Sequence, residues 1–416
     1  MGRAKYGDAF LGVKIDDTQV GRALKRMQKR FDATAQSLNR IGKVGVGVGA
    51  AVVTAGALAV ATFAGFDDQM RQVKAVTGAA GEQFVELTEQ AKRLGATTSF
   101  SASQVANMMG ELGRAGFAAG QIKVVSDSVL NLSSATGTEL PRAAEIAGAV
   151  LRGFGEDADQ MIRVTDVLTA TANGTAQSLD DLFEALKPVA PIAAAAGESL
   201  EDTAAAVGVL ANSGIKGSLA GNALARAFKN LATEKTQDFL AGLGVAATDS
   251  EGNLRPLIEI IGDLDKATAD FGEAERLATF ETLFGRGQAA AIKLAEATRG
   301  GFAEVADAVR NSQGVAAKTA AEMEAGIGGS FRRMMSSVEG VAIALGDSLA
   351  PTVAAVTETL GGMLGGVTAW INANQNLVVG LMAGGLAVGA LGAAAVVLGT
   401  VLSSIGRSSS SRGIRQ

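Results

Sequence analysis

The sequence predicts an all-α protein, with a multi-helix core of short capped helices and extended amphipathic and apolar helices at both ends. Three observations predict it. Only five prolines interrupt 416 residues. Apolar residues make up 48% of the chain but aromatics only 4%, so the apolar content is mostly Ala, Val and Leu, and Ala and Leu are strong helix formers. A hydroxyl residue followed about 14 residues later by Gly and an apolar residue also recurs, which is the punctuation of a capped helix. Gly, at 54 residues, is about twice as frequent as usual. In a helical chain this means many helix ends, close helix packing or membrane-embedded segments.

The composition excludes several function classes. There is no Cys, hence no disulfide framework and no thiolate chemistry. There is no His, so the commonest general base and the usual zinc ligands are missing. No catalytic residue, cofactor site or metal site is assigned, and the chain is not expected to be an enzyme. The net charge of −5 hides an asymmetry. Residues 1–43 carry +6 and the last ten residues +3, so the stretch between them carries −14. Basic ends beside apolar runs suit anionic membrane surfaces or acidic partners, or simply keep apolar helices soluble. The Met1 region does not read as a secretory signal, because its apolar run begins too late.

Residues 1–43 read as a basic amphipathic or coiled-coil-like helix. Leu24, Met27, Phe31, Thr34, Leu38 and Ile41 recur at alternating spacings of three and four, a heptad seam with one polar member. A short coiled coil and a single helix packed on a neighbour both fit. Residues 44–66 read as an apolar helix of membrane length. Its uncharged stretch, Val44 to Phe66, reaches about 34 Å as helix, enough for a bilayer core. Its opening, Gly45-Val46-Gly47-Val48-Gly49 with Asp67 downstream, superficially resembles a dinucleotide-binding loop. However, a basic helix precedes it where a hydrophobic strand is required.

Residues 67–300 read as a helical domain of capped units. Ser101, Thr138 and Ser199 are the expected N-caps, and Gly116, Gly153 and Gly214 the expected residues just past each helix end. At an offset of 98, Ala106, Gly110, Leu112 and Gly116 register with Ala204, Gly208, Leu210 and Gly214, a weak helix-turn repeat. Ser178 opens another helix, and Pro188 and Pro191 should end or kink it near Lys187. The cluster Asp249-Ser250-Glu251-Gly252-Asn253 marks a turn or short hairpin before a helix carrying Leu257, Ile258, Ile261 and Leu264. Glu111, Glu139 and Glu145 are candidate carboxylates for glycoside hydrolysis, but ordinary solvated helix positions explain them better.

Residues 301–358 read as a helical extension. Residues 359–406 carry no charge and read as a transmembrane region. Leu377–Ile405 is long enough to span with tilt, and Gly380, Gly384, Gly385 and Gly389 form small-xxx-small pairs that let helices approach in lipid. Arg407 and Arg412 would then favour the cytoplasmic side. A buried helical hairpin broken near Asn372–Asn376 is the alternative. Residues 407–416 form a basic, flexible tail.

Several motifs together resemble one family. They are Phe66-Asp67-Asp68-Gln69-Met70-Arg71-Gln72-Val73 with Val76-Thr77-Gly78, and Leu94-Gly95-Ala96-Thr97-Thr98-Ser99-Phe100-Ser101-Ala102-Ser103 leading to Gly113-Arg114-Ala115-Gly116-Phe117. Ala190-Pro191, Gly197-Glu198-Ser199-Leu200-Glu201-Asp202-Thr203-Ala204, Asn212-Ser213-Gly214-Ile215 with Gly217-Ser218 and Gly221, and Leu283-Phe284-Gly285-Arg286-Gly287 follow in order. Over about residues 66–295 this resembles the core of phage tail tape measure proteins.

The resemblance implies a structural protein of the virion tail lumen that sets tail length as a scaffold for tube polymerisation. It implies as partners the tail tube protein, tail assembly chaperones, baseplate or distal tail proteins, the tail terminator and further copies of the chain. It also implies residence in the host cytoplasm during assembly, and passage into the host inner membrane on infection, where apolar segments assist genome ejection. Members are usually longer, with long helical stretches after the core. A fully helical chain of this length measures at most about 620 Å, so a short tail, a tail-like particle or a truncated or split tape is expected. A membrane-inserting pore former or toxin outside any tail is the alternative, and neighbouring tube and chaperone genes would discriminate.

Overall fold

A computed structural model describes residues 49–373. The heptad seam at 24–41, most of the glycine-rich opening at 45–49, the Leu377–Ile405 segment and the tail at 407–416 lie outside the described residues. The described chain is all-α, as expected, apart from one isolated bridge between Thr248 and Leu254. It divides into two units, residues 1–346 and 347–416.

In the first unit the helices are α1 (Gly49–Thr77), α2 (Glu82–Thr97), α3 (Ala102–Arg114), α4 (Ala119–Thr136), α5 (Leu140–Gly153), α6 (Met161–Gly174), α7 (Leu179–Ala195), α8 (Leu200–Asn212) and α9 (Gly217–Leu231). They are followed by α10 (Glu234–Gly242), α11 (Leu257–Ala267), α12 (Glu273–Phe284), α13 (Gln288–Ala297), α14 (Gly301–Arg310) and α15 (Val315–Glu324), and α16 (Ile327–Ala373) begins there and runs into the second unit. The helices stack in rows. α1, α3, α5, α7 and α9 pack each on the next, and α2, α4, α6 and α8 form a parallel row. α14 covers α6 and α8, while α15 covers α4 and α6. The core therefore lies between rows, filled by Met108, Met109, Leu112, Ile122, Leu132 and Ile146, all fully buried.

Local chemistry fixes most helix ends. Ser101 caps α3: its hydroxyl accepts from the Gln104 amide at 3.3 Å while the Gln104 side chain accepts from the Ser101 amide, a reciprocal box. Ser178 caps α7 in the same way through Asp181. Ser199 caps α8, accepting from the Asp202 amide at 3.0 Å. Gly116 (φ 87°) and Gly214 (φ 85°) follow α3 and α8 in left-handed geometry. Beyond them, Phe117 and Ile215 donate back to the carbonyls of Leu112 and Leu210, which satisfies groups the helix end orphans.

Four expectations are corrected. Thr138 is not the cap of α5; Glu139 holds that place without a side-chain bond. Were Thr138 the cap, its N3 partner would be Pro141, which has no amide proton to give. Gly153 is the last residue of α5, and Gly155 (φ 71°) takes the left-handed turn. Gly153 is small for another reason, since a Cβ there would meet Ala190 of α7 at 3.1 Å. α7 does not end at its prolines but runs through Pro188 and Pro191 to Ala195. There α9 packs so closely that a Cβ on Gly221 would collide with the Ala185 carbonyl, and burial of Val189, Ala190 and Ala193 outweighs the propensity cost.

Finally, the two helices matched at an offset of 98, α3 and α8, lie in different rows. The repeat seen in space is shorter. Arg142–Asp180, Arg163–Glu201 and Asn173–Ala135 each join residues 38 apart, and Arg152 reaches the Gly116 carbonyl 36 residues back. Each helix thus meets the helix one pair away.

The hairpin expectation holds in its smallest form. Asp249 and Asn253 are joined through backbone and side chain, and the Arg255 amide donates to Ala247 at 3.0 Å. The packed unit also continues past residue 300. Phe302, Ala306, Val309, Ala316 and Ala320 are buried. The second unit contains the continuation of α16 to Ala373.

Candidate functional site

The sequence offers no catalytic constellation, and the structure assembles none from the carboxylates considered. Glu111 and Glu145 do face one open groove of about 390 Å³ with Arg114 and Arg152, which Glu139 does not line. Each is held by an arginine three residues away, Glu111 by Arg114 and Glu145 by Arg142. Both carboxylates are thus engaged in ion pairs along their own helices. Asp67 sits inside α1 and pairs with Arg71 at 2.6 Å, which occupies the carboxylate a dinucleotide ribose would need.

Glu198 is a carboxylate whose pKa is raised by its surroundings. Burial pushes its pKa up, the bond from the Leu257 amide opposes that, and the neighbouring Asp202 and Glu259 add to it. The cavity beside it holds only about 10 Å³, room for a single water. Among the described residues no group of three or more metal-ligating side chains occurs. Asp166 and Asp265 are buried polar anchors that sequence reasoning missed. The Asp166 carboxylate accepts from the Gly314 and Ala316 amides at 2.8 and 2.9 Å, capping α15 from α6. Asp265 holds Arg276 and Arg299 at 2.5 and 2.8 Å.

The distinctive surface is α16. Its inner face is fastened to the core from several elements. Glu324, just before it, pairs with Arg332 and accepts from Ser99. The Ser336 hydroxyl reaches the carbonyls of Gly95 and Phe100, and Glu339 accepts from the Ser103 amide at 3.1 Å. Ile343 is buried, and Gly346 lets α16 touch the Ala59 backbone and Phe63 of α1. The opposite face is apolar and open. Phe331, Met334, Val338, Val341 and Leu345 are each more than half exposed, at spacings of three and four. The spacing of this stripe is legible in the sequence, within the helical extension expected over residues 301–358. Among the described residues, Ile327–Ala355 is the one helical stretch apolar and long enough to cross a membrane. What this arrangement can do chemically is bind another helix or an apolar phase.

Comparisons with known proteins agree with the motif reading. Residues 88–285 match the phage-related minor tail protein family. The chain is 33% identical to the tape measure protein of Pneumococcus phage Dp-1 over 88% of its own length and 33% of the relative's. It is 29% identical to the probable tape measure protein of Escherichia phage P2 over 96% of its own length and 50% of the relative's. The chain thus spans about a third to a half of these curated relatives. No solved structure matches it. The stacked helical core thus carries a tail-protein family match, within a chain that is similar to phage tape measure proteins along nearly all its length.

Proposed function

We propose that the chain is a structural tape measure: it sets tail length as a scaffold around which the tail tube polymerises, and performs no catalytic step. The observation that carries this reading is the passage from a family-matching core into α16, a helix of 47 residues, or about 70 Å of extended rod. A continuous helix converts residue count into length at about 1.5 Å per residue. The partners follow from the role: tail tube protein, tail assembly chaperones, baseplate or distal tail proteins, tail terminator and other copies of the chain. The location is the virion tail lumen after assembly in the host cytoplasm, with passage to the host inner membrane on ejection, where the apolar segments help the genome across.

The test is an insertion of four heptads after Val353, imaged as assembled particles by electron microscopy. Twenty-eight helical residues should lengthen the tail by at most about 42 Å. Tails that form with unchanged length would refute the tape reading.

A membrane-inserting pore former outside any tail is the second reading, favoured by the membrane-length apolar stretch Ile327–Ala355. It predicts dye leakage from anionic liposomes given the purified chain, together with tails whose length ignores the insertion.

A further inference from the structure

We propose that the exposed stripe of α16 is covered by residues 24–38 of the same chain, docked along it as a second heptad helix. The two seams are alike. On α16 the positions are Phe331, Met334, Val338, Val341 and Leu345, exposed by 58, 52, 57, 61 and 54%. In the N-terminal segment they are Leu24, Met27, Phe31, Thr34 and Leu38. Both follow spacings of three, four, three and four, so every position of one seam has a counterpart in the other.

The flanks fit as well. Beside the α16 stripe stand Met335, Ser337, Ala342 and Ala344, with no charge among them. Beside the N-terminal seam stand Gln28, Ala35 and Ser37, with Arg30 the one charged exception. By helical spacing Lys25, Arg26, Lys29, Asp32 and Arg40 would fall on the face opposite that seam. Docking therefore buries two largely apolar stripes with Arg30 as the one charge at their edge, where its long side chain can reach water, and leaves a charged surface where a wide apolar one stood.

The chain can reach. Ala59 and Phe63 of α1 touch Gly346, and Gly49 lies about 15 Å further along α1. Residues 43–48 span up to about 20 Å when extended, and Gly45 and Gly47 permit a reversal. Val338 lies about 12 Å back along α16 from Gly346. A segment tethered this closely is present at an effective concentration in the millimolar range, which favours it over a second copy of the chain.

Because the chain contains no Cys, introduced thiols are unique. Phe31 and Val338 are the central members of their seams and meet whichever way the helices run. The full-length variant Phe31→Cys/Val338→Cys, treated with a short bis-maleimide, should give an intrachain crosslink in the monomer. That product should be lost in Arg26→Cys/Val338→Cys, whose first thiol faces away. Equal crosslinking of both variants would show a loose arm and overturn the proposal. Covalent dimers from Val338→Cys alone would assign the stripe to a second copy and also overturn it. So would shielding of Val338→Cys that appears only with anionic vesicles, since the cover would then be lipid. A second measurement leaves the large seam residues of α16 in place: Leu38→Asp should raise the rate at which a polar maleimide labels Val338→Cys. An unchanged rate would count against the docked segment.

Discussion

Replacing Asp166 by Ala should release α15. The carboxylate is 3% exposed and accepts from two amides at the start of α15, those of Gly314 and Ala316. Each bond to a charged acceptor is worth about 1.5–3 kcal/mol, and the two amides would be left inside without a partner, so the loss should be about 3–5 kcal/mol. The loss is local, because α15 is otherwise held by small side chains, with Ala316 and Ala320 its buried residues. Hydrogen exchange read by mass spectrometry over residues 311–326 measures it directly. Protection of the α15 amides should fall about 10²- to 4 × 10³-fold at 1.4 kcal/mol per decade, while α3 and α5 keep theirs. Asp166→Asn retains one acceptor and should lose roughly half as much free energy. If α15 amides in Asp166→Ala exchange at the native rate, or if exchange rises equally across the core, the carboxylate is not the clasp.

Two further outcomes follow from the same geometry. Ser101→Ala should cost about 0.5–2 kcal/mol in urea unfolding, because it removes one side of a reciprocal cap, whereas Thr138→Ala should cost almost nothing. Equal costs would mean the capping assignment is wrong. Glu198 has a raised pKa because it is buried, with Asp202 and Glu259 nearby. A raised folded-state value means the folded protein holds that proton more tightly than the unfolded one. Its stabilising contribution is full below the unfolded value and is lost as pH rises through the folded one. Glu198→Gln should therefore melt higher than the parent at neutral pH, with the difference closing as the solution is acidified. A difference that widens towards acid would reverse the sign and refute the burial argument.

Much of the fold was legible because helix ends are written locally. Ser101, Ser178 and Ser199 each precede a partner three residues on, and Gly116 and Gly214 precede the apolar residue that closes the turn. Reading failed where the deciding atom was elsewhere. Gly153 and Gly155 flank Phe154, and only Ala190, on another helix, decides which of them must be small for packing and which takes the turn. Pro188 and Pro191 read as a stop or a kink, and the helix continues through them where α9 lies against it. The 38-residue stacking distance is hard to read because its marking contacts, Arg142 with Asp180, Arg163 with Glu201 and Asn173 with the Ala135 carbonyl, fall at different places on successive helices. The docking of α15 rests on one aspartate about 150 residues away, and no local pattern announces that. The α16 stripe was different: its spacing stood in the sequence, but only the structure shows that its opposite face is already taken.

The position of α15 also sets a schedule. α4 and α6 are covered by a helix made much later, with Asp166 separated from its partners by 148 and 150 residues. At synthesis rates of about 5–20 residues per second, that cover emerges roughly 8–30 s after the surface it must close. For that interval the nascent chain presents an apolar face that its own sequence cannot yet shield. Closing it is a non-local step, slow for the same reason that long loops are slow to close. The most aggregation-sensitive moment for this protein therefore falls during its birth, and a shortened chain ending before Val315 would never leave that moment.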